Sequence, residues 1–233
     1  MRQIFLDTET TGLEATLGHR IIEIAALEML DRKLTGSYFH RYLNPGRESD
    51  IGALKIHGLT SAFLEDKEKF GDIAQELLEF IDGAELVIHN APFDINFLNH
   101  ELGLIKLQSL NQYCHSITDT LNMAKELYPG KKNNLNALCE RYQIDNSRRT
   151  LHGALLDAEL LVDVYIAMTR GQENLLIETE IFSSTSHSVD NQNGLQLTLL
   201  KADIKELELH AQQLEMIQHE SKNHCLWKRL ENS

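Results

Sequence analysis

The sequence predicts an α/β domain, a sheet of mixed strand directions flanked by helices, followed by a flexible linker and a helical tail. Three observations carry this. Three strand-like segments come first, helices and strands then alternate, and the composition shifts after Arg170-Gly171.

Ile4–Leu6 is a short apolar strand that runs directly into Asp7-Thr8-Glu9-Thr10-Thr11-Gly12. Arg20–Leu30 is rich in Ile, Ala and Leu and reads as a second strand. Tyr38–Leu43 alternates aromatic and polar residues and reads as a third, ended by the turn Asn44-Pro45-Gly46. Phe70, Ile73, Ala74, Leu77, Leu78 and Ile81 recur at helical spacing. Glu85–Ile88 is a short buried strand, and a helix Phe93–Leu102 follows Pro92. His115–Thr118 reads as another strand, with helices at Leu135–Tyr142 and Ala154–Met168.

Beyond Gly171, Ser183–Gly194 holds one apolar residue in twelve and reads as a flexible linker. Leu197, Leu200, Ile204, Leu207, Ala211 and Leu214 then recur at steps of three and four, one apolar stripe on a helix. Such a helix on a tether cannot bury its own stripe.

Apolar residues make up 42% of the 233 and charged residues 24%, the balance of a globular protein. No run approaches the roughly 18–20 apolar residues of a membrane span. Met1 leads straight into a strand without signal-peptide architecture. Three scattered cysteines, Cys114, Cys139 and Cys225, fit a reducing cytoplasm and argue against a disulfide framework or thiolate zinc site. The net charge of −13 speaks against a broad basic face for nucleic acid. A nuclease tolerates such a charge if divalent cations neutralise an acidic centre and the contact spans few nucleotides.

Asp7 and Glu9 sit two apart at a strand end, so both side chains point to one face. Carboxylates that close repel unless a cation lies between them, and hard oxygen ligands favour Mg²⁺ or Mn²⁺. A bare Asp-x-Glu reads more readily as two solvated acids, so the pattern needs partners. His89-Asn90-Ala91-Pro92-Phe93-Asp94 brings Asp94 to a helix start, where an acid is also favoured by the helix dipole alone. His152-Gly153-Ala154-Leu155-Leu156-Asp157 puts Asp157 on a helix and His152 just before it. The set is four acids and one histidine, each at a strand end or helix start, where ligands of open α/β sheets gather. Two metals there could hold a phosphodiester and sharpen a water nucleophile. An imidazole titrating near neutral pH suits the missing base.

In order and spacing, Asp7-x-Glu9, Asp94 and His152-x4-Asp157 resemble the three motifs of the DEDDh 3′→5′ exonucleases. Gly153 stands where the tyrosine branch would carry Tyr. Within that family the likeness is to the epsilon-type proofreading subunits of bacterial replicative DNA polymerases, strong over residues 2–171 and looser in the tail. The resemblance implies a ribonuclease-H-like fold, two Mg²⁺ or Mn²⁺ ions and release of 5′-mononucleotides. It implies Asp7, Glu9, Asp94 and Asp157 as metal ligands and His152 as general base. Asp7, Glu9, Thr10, His57 and Asp157 would contact substrate. One departure is Gly52, where the epsilon pattern has a Glu that touches the terminal sugar; Glu48 or Asp50 could substitute.

The resemblance also divides the chain into an exonuclease domain (1–171), a clamp-binding peptide and linker (172–194) and a polymerase-binding tail (195–233). Gln172-Glu173-Asn174-Leu175-Leu176-Ile177 resembles a sliding-clamp peptide, and Cys225-Leu226-Trp227 matches the family's tail. The implied partners are a DNA 3′ end, the polymerase catalytic subunit, the clamp and a small third core subunit, in a cytoplasmic, nucleoid-associated replisome. Lys131, Lys132, Arg141, Arg148 and Arg149 form either a phosphate-tracking patch or a solvated face. An RNA-directed relative such as an oligoribonuclease, or a catalytically idle scaffold, are the rival readings.

Overall fold

The computed structural model describes residues 1–147, 149, 151–170 and 202–221. The chain divides into two compact units, Met1–Thr179 and Glu180–Ser233. The expected boundary at Gly171, the peptide 172–177, the linker and the Cys-Leu-Trp ending lie outside the described residues.

The first unit is a five-stranded sheet in the order β3-β2-β1-β4-β5. β1 (Arg2–Thr10), β2 (Ile21–Leu30) and β3 (Lys33–Tyr42) form an antiparallel meander. β4 (Glu85–Ile88) and β5 (Ser116–Asp119) continue it in parallel with β1. Three helices separate β3 from β4: α1 (Ile51–His57), α2 (Ser61–Leu64) and α3 (Phe70–Ile81). α4 (Ala91–Leu104) joins β4 to β5; α5 (Thr120–Leu127), α6 (Leu135–Tyr142) and α7 (Ala154–Thr169) follow. This is the mixed ribonuclease-H-like sheet that the resemblance implies.

Strand alternation sorts the core into two layers. Ile4 and Leu6 pack with Ile24, Ala26 and Leu86 against α3 and α4. Phe5, Ala25 and Val87 point the other way, against α6 and α7. The same parity governs the strand's polar end. Asp7 and Glu9 continue the Phe5 side towards α7, while Thr8 and Thr10 continue the Ile4 side towards α4.

β1 outruns the expected Ile4–Leu6 because β2 keeps pairing with it through Asp7↔Ala25 and Glu9↔Glu23, up to a bulge between Glu9 and Thr10. β3 begins earlier than expected. Asp31 and Arg32 both take positive φ, 47° and 63°, which makes a two-residue hairpin turn without the usual Asn-Gly pair.

In the second unit, α8 (Ile204–Glu220) starts at a capping box in which Asp203 accepts from the Glu206 amide and Glu206 accepts from the Asp203 amide. The stripe positions Ile204, Leu207, Ala211 and Leu214 lie on this helix; Leu197 and Leu200 lie outside the described residues. No helix among the described residues is long and apolar enough to cross a membrane.

Candidate active site

Asp7, Glu9, Asp94, His152 and Asp157 line one cleft of about 530 Å³, together with Thr8, Arg149 and Asn136. β1 supplies Asp7 and Glu9 from its exit. Asn90 enters α4 in the left-handed conformation (φ 67°), and Pro92 in the first turn fixes the helix start that carries Asp94. Gly153 precedes α7, whose first turn carries Asp157.

The acids are held by specific neighbours. Thr8 donates from Oγ1 to Asp94 Oδ1 at 2.7 Å, as the parity of β1 requires. Arg149 forks onto Asp157, with Nε to Oδ1 at 2.5 Å and Nη2 to Oδ2 at 2.5 Å. His152 Nδ1 lies 2.8 Å from Arg149 Nη2 and 3.3 Å from Asp157 Oδ2. A guanidinium nitrogen only donates, so the shorter contact assigns Nδ1 as acceptor and places the ring proton on Nε2.

Burial dominates the electrostatics. It pushes Asp7 well above the usual carboxylate range, and Asp94, Asp157 and Glu9 push the same way. Burial, then Asp157 and Glu23, raise Glu9 to about 8. Asp94 is raised to about 7 by burial against the lowering hydrogen bond from Thr8. Burial also acts on Asp157, but hydrogen bonds from its neighbours outweigh it and hold the carboxyl below its ordinary value. With Nδ1 of His152 accepting, the Arg149 fork is the contact that does this. Carboxyls raised in this way are acids buried, and for Asp7 and Glu9 also crowded, without enough positive charge.

That crowding fits a divalent cation. Ligand atoms of Glu9, His152 and Asp157 all lie within 4.8 Å of one another. Asp7 and Asp94 line the same cleft and add further oxygens. Hard, mostly anionic donors suit Mg²⁺ or Mn²⁺. The imidazole is close enough to be a ligand itself, so His152 carries two chemical possibilities.

A second cavity of about 350 Å³ adjoins the cleft and shares Thr8, Glu9 and Phe93 with it. Thr10 and His57 line it, along with Ile56, Leu13 and Asp50. Thr10 donates to the Gly12 carbonyl at 2.7 Å, which turns the chain away from β1. His57 is buried and accepts the Leu59 amide at Nδ1, so its proton sits on Nε2. Nε2 is buried and has no partner among the described residues. Burial lowers the His57 pKa, which keeps the ring neutral. His57 thus combines a buried, unpartnered N–H with a place in the lining of an apolar cavity. Gly52 lines this cavity with open space where a side chain would stand, and Asp50 lines it too. Glu48 lines a different hollow. Asp50 lines the His57 cavity and Glu48 does not.

Two members of the basic group, Arg141 and Arg149, have different surroundings. Arg141 lies over the Tyr128 ring, 4.3 Å from its centroid, and donates to Asn133 Oδ1 and the Lys132 carbonyl. Arg149 points into the cleft, and Arg148 lies outside the described residues. The sequence offers Arg149 as part of a phosphate-tracking patch or a solvated face, not as a cleft residue, and gives no place in the cleft to Thr8 or Asn136. Strand parity could have found Thr8; a long side chain in a loop gave no signal.

A family profile described as Exonuclease (RNase_T) matches residues 4–165. DNA polymerase III subunit epsilon of Haemophilus influenzae is 46% identical over 250 residues, covering 100% of this chain and 97% of its own. The subunit of the same name from Escherichia coli is 44% identical over 238 residues, covering 97% of each chain. Among solved structures, the nuclease domain of 3′hExo, a DEDDh family member bound to rAMP, superposes with a TM-score of 0.63 at 17% identity, over 73% of this chain and 92% of that one. Exonuclease X in complex with 5′ overhanging duplex DNA gives 0.58 at 24% identity, over 73% and 93%. At these identities the two structures speak to the fold.

Proposed function

The chain belongs to the exonuclease family and, within it, to the DNA polymerase III epsilon subunits, and from that membership we propose that it removes mononucleotides from a DNA 3′ end as the proofreading component of a replicative polymerase. It works with divalent metal and in association with the DNA polymerase III core of a bacterial replication machinery. In the finer reading, two Mg²⁺ or Mn²⁺ ions are held by Asp7, Glu9, Asp94 and Asp157, with Asp7 shared. His152 is the general base. The observation that carries this is the convergence of four acids and one histidine from β1, α4, the 149–153 loop and α7 on one cleft.

Bound metal would supply Lewis-acid polarisation of the phosphodiester and an acidified water. The chain's own groups do the rest. Thr8 fixes the Asp94 carboxyl in orientation. The His152 ring, with 43% of its side chain exposed, is within reach of an attacking water and would take its proton once Nδ1 leaves Arg149. His57 Nε2 would donate to the terminal nucleotide, whose base and sugar occupy the apolar cavity beside Thr10 and Phe93. Asp50 could contact the sugar in place of the family's glutamate.

The tail 195–233 would bind the polymerase catalytic subunit, and residues 172–177 the sliding clamp. A small third core subunit would sit on the exonuclease domain. The test of the activity is a product analysis. The full chain, with Mg²⁺ or Mn²⁺, should shorten a 3′-mismatched DNA primer stepwise to 5′-mononucleotides, and EDTA should stop it. Faster digestion of a short RNA would favour the oligoribonuclease reading, and no digestion of either would favour the idle scaffold.

A further inference from the structure

We infer that Arg149 is an internal counter-cation of the cleft, competing with divalent metal for Asp157 and holding the His152 base in check until metal displaces it. The inference rests on the metal-site reading above. Its basis is the geometry of one guanidinium. Nε and Nη2 of Arg149 cover both oxygens of Asp157 at 2.5 Å each. The same Nη2 meets His152 Nδ1 at 2.8 Å, and Nη1 meets Asn136 Oδ1 at 2.5 Å. The pair is well covered, with 7% of the Arg149 side chain and 5% of the Asp157 side chain exposed. This is a bidentate, shielded pair of the strong kind rather than a surface contact.

A metal ion needs lone pairs of Asp157 on the face that looks into the cleft. The guanidinium uses both oxygens there. The fork takes one lone pair on each oxygen and sets a positive charge against both, so cation and guanidinium compete for Asp157. The contact to His152 adds a second consequence. The Nδ1 lone pair is committed to Nη2 and the other ring nitrogen carries the proton, so neither can accept a proton from water. One displacement, Arg149 off Asp157, opens a metal ligand and releases the base together. Arg149 is thus a positioning residue that ties base release to metal loading. By reciprocity, whatever loosens Arg149 tightens metal.

The test is Mn²⁺ binding by the full chain, followed by paramagnetic resonance or calorimetry, without substrate. Arg149→Gln should bind the tightest Mn²⁺ on the order of tenfold better than the parent. Its melting temperature in EDTA should fall, and saturating Mn²⁺ should erase most of that difference. Removing a positive charge could raise metal affinity through the field alone, so a neutral change is needed beside it. Asn136→Ala leaves every charge in place and removes the anchor of Nη1, along with a longer contact from Asn146 Nδ2 at 3.3 Å. It should tighten Mn²⁺ in the same direction by a smaller factor. If Arg149→Gln binds Mn²⁺ no better than the parent, or if it does and Asn136→Ala does not, the latch is wrong and the metal site stands. If the parent binds no Mn²⁺, the metal site and the latch fall together.

Discussion

The backbone amide of His152 donates to the carbonyl of Ile56 at 3.0 Å. The loop that carries the proposed base is therefore pinned to the end of α1, next to His57 and the cavity that it lines. Leu151, the preceding residue, lies over Gly58, which ends α1 in the left-handed conformation at φ 71°. A Cβ on Gly58 would stand 2.6 Å from Leu151 Cδ1.

Gly58→Ala should therefore act on both stability and catalysis. The left-handed conformation costs a non-glycine residue about 1–2 kcal/mol. The displaced Leu151 should move His152 and lower kcat more than it changes KM. Leu151→Ala in the same chain removes the collision but not the backbone strain. It should recover much of kcat and little of the stability. Equal kcat for Gly58→Ala and the parent would show that the pinning does not position the base.

His152→Ala should keep its metal and lose most of its rate, by roughly 10²–10⁴-fold, as for a missing general base. Part of the rate should return at high pH, where hydroxide replaces the base. Its imidazole also lies within ligand range of Glu9 and Asp157. A variant that loses Mn²⁺ affinity in a direct titration would reassign His152 as a ligand.

Asp7→Ala and Glu9→Ala should each abolish hydrolysis with the fold intact, since a lost ligand removes a cation that the hydrophobic layers do not need. The pH dependence of stability separates this crowding from ordinary surface acids. Burial lifts Glu9 from 4.5 to about 8. The folded state then holds a proton that the unfolded state has already released. Its contribution is fully present below about 4.5 and is lost as pH rises through about 8. Buried His57 and His89, whose pKa values are lowered, work in the opposite sense, but only below the unfolded value of 6.5. Between pH 6.5 and 8, in EDTA, the parent's melting temperature should therefore fall with pH. Glu9→Gln should lessen that fall, the remainder coming from Asp7 and Asp94, which burial raises as well, and saturating Mg²⁺ should lessen it too by compensating the charge. A parent with a flat profile over this window would mean that Glu9 is not crowded.

The sequence revealed most where one signal had no competitor. Phe70–Ile81 and Leu135–Tyr142 are helices over the expected spans, because their apolar faces are regular. α1 was invisible because Ile51, Leu54 and Ile56 stay at least partly exposed and form no buried stripe. α5 was missed because its amphipathic run is only eight residues long, begun by Asp119, which accepts from the Leu121 amide. The hairpin turn at Asp31-Arg32 lacks the residues that mark such turns, so β3 was read from Tyr38 instead of Lys33. In the site, the acids were legible because their spacing along the chain reflects strand and helix geometry. His57 Nε2 and the Arg149 fork were not, because each depends on side chains from distant segments meeting.

The tail gives the last prediction. α8 begins at its own capping box and carries Ile204, Leu207, Ala211 and Leu214 at steps of three and four, which align on one face. A single helix cannot bury such a face by itself, and a tethered segment raises the effective concentration of whatever its two ends bind. Truncation after Gly171 removes this helix and leaves every residue of the five-stranded sheet and the cleft. The shortened protein should unfold cooperatively near the parent's melting temperature and digest single-stranded DNA at the parent's rate. It should no longer co-elute with the polymerase catalytic subunit on a sizing column. In the full chain, changing Gln172 and Leu175 to Ala should weaken clamp binding and leave both polymerase association and digestion of naked DNA unchanged. Polymerase that still travels with residues 1–171 would move the anchor onto the exonuclease domain.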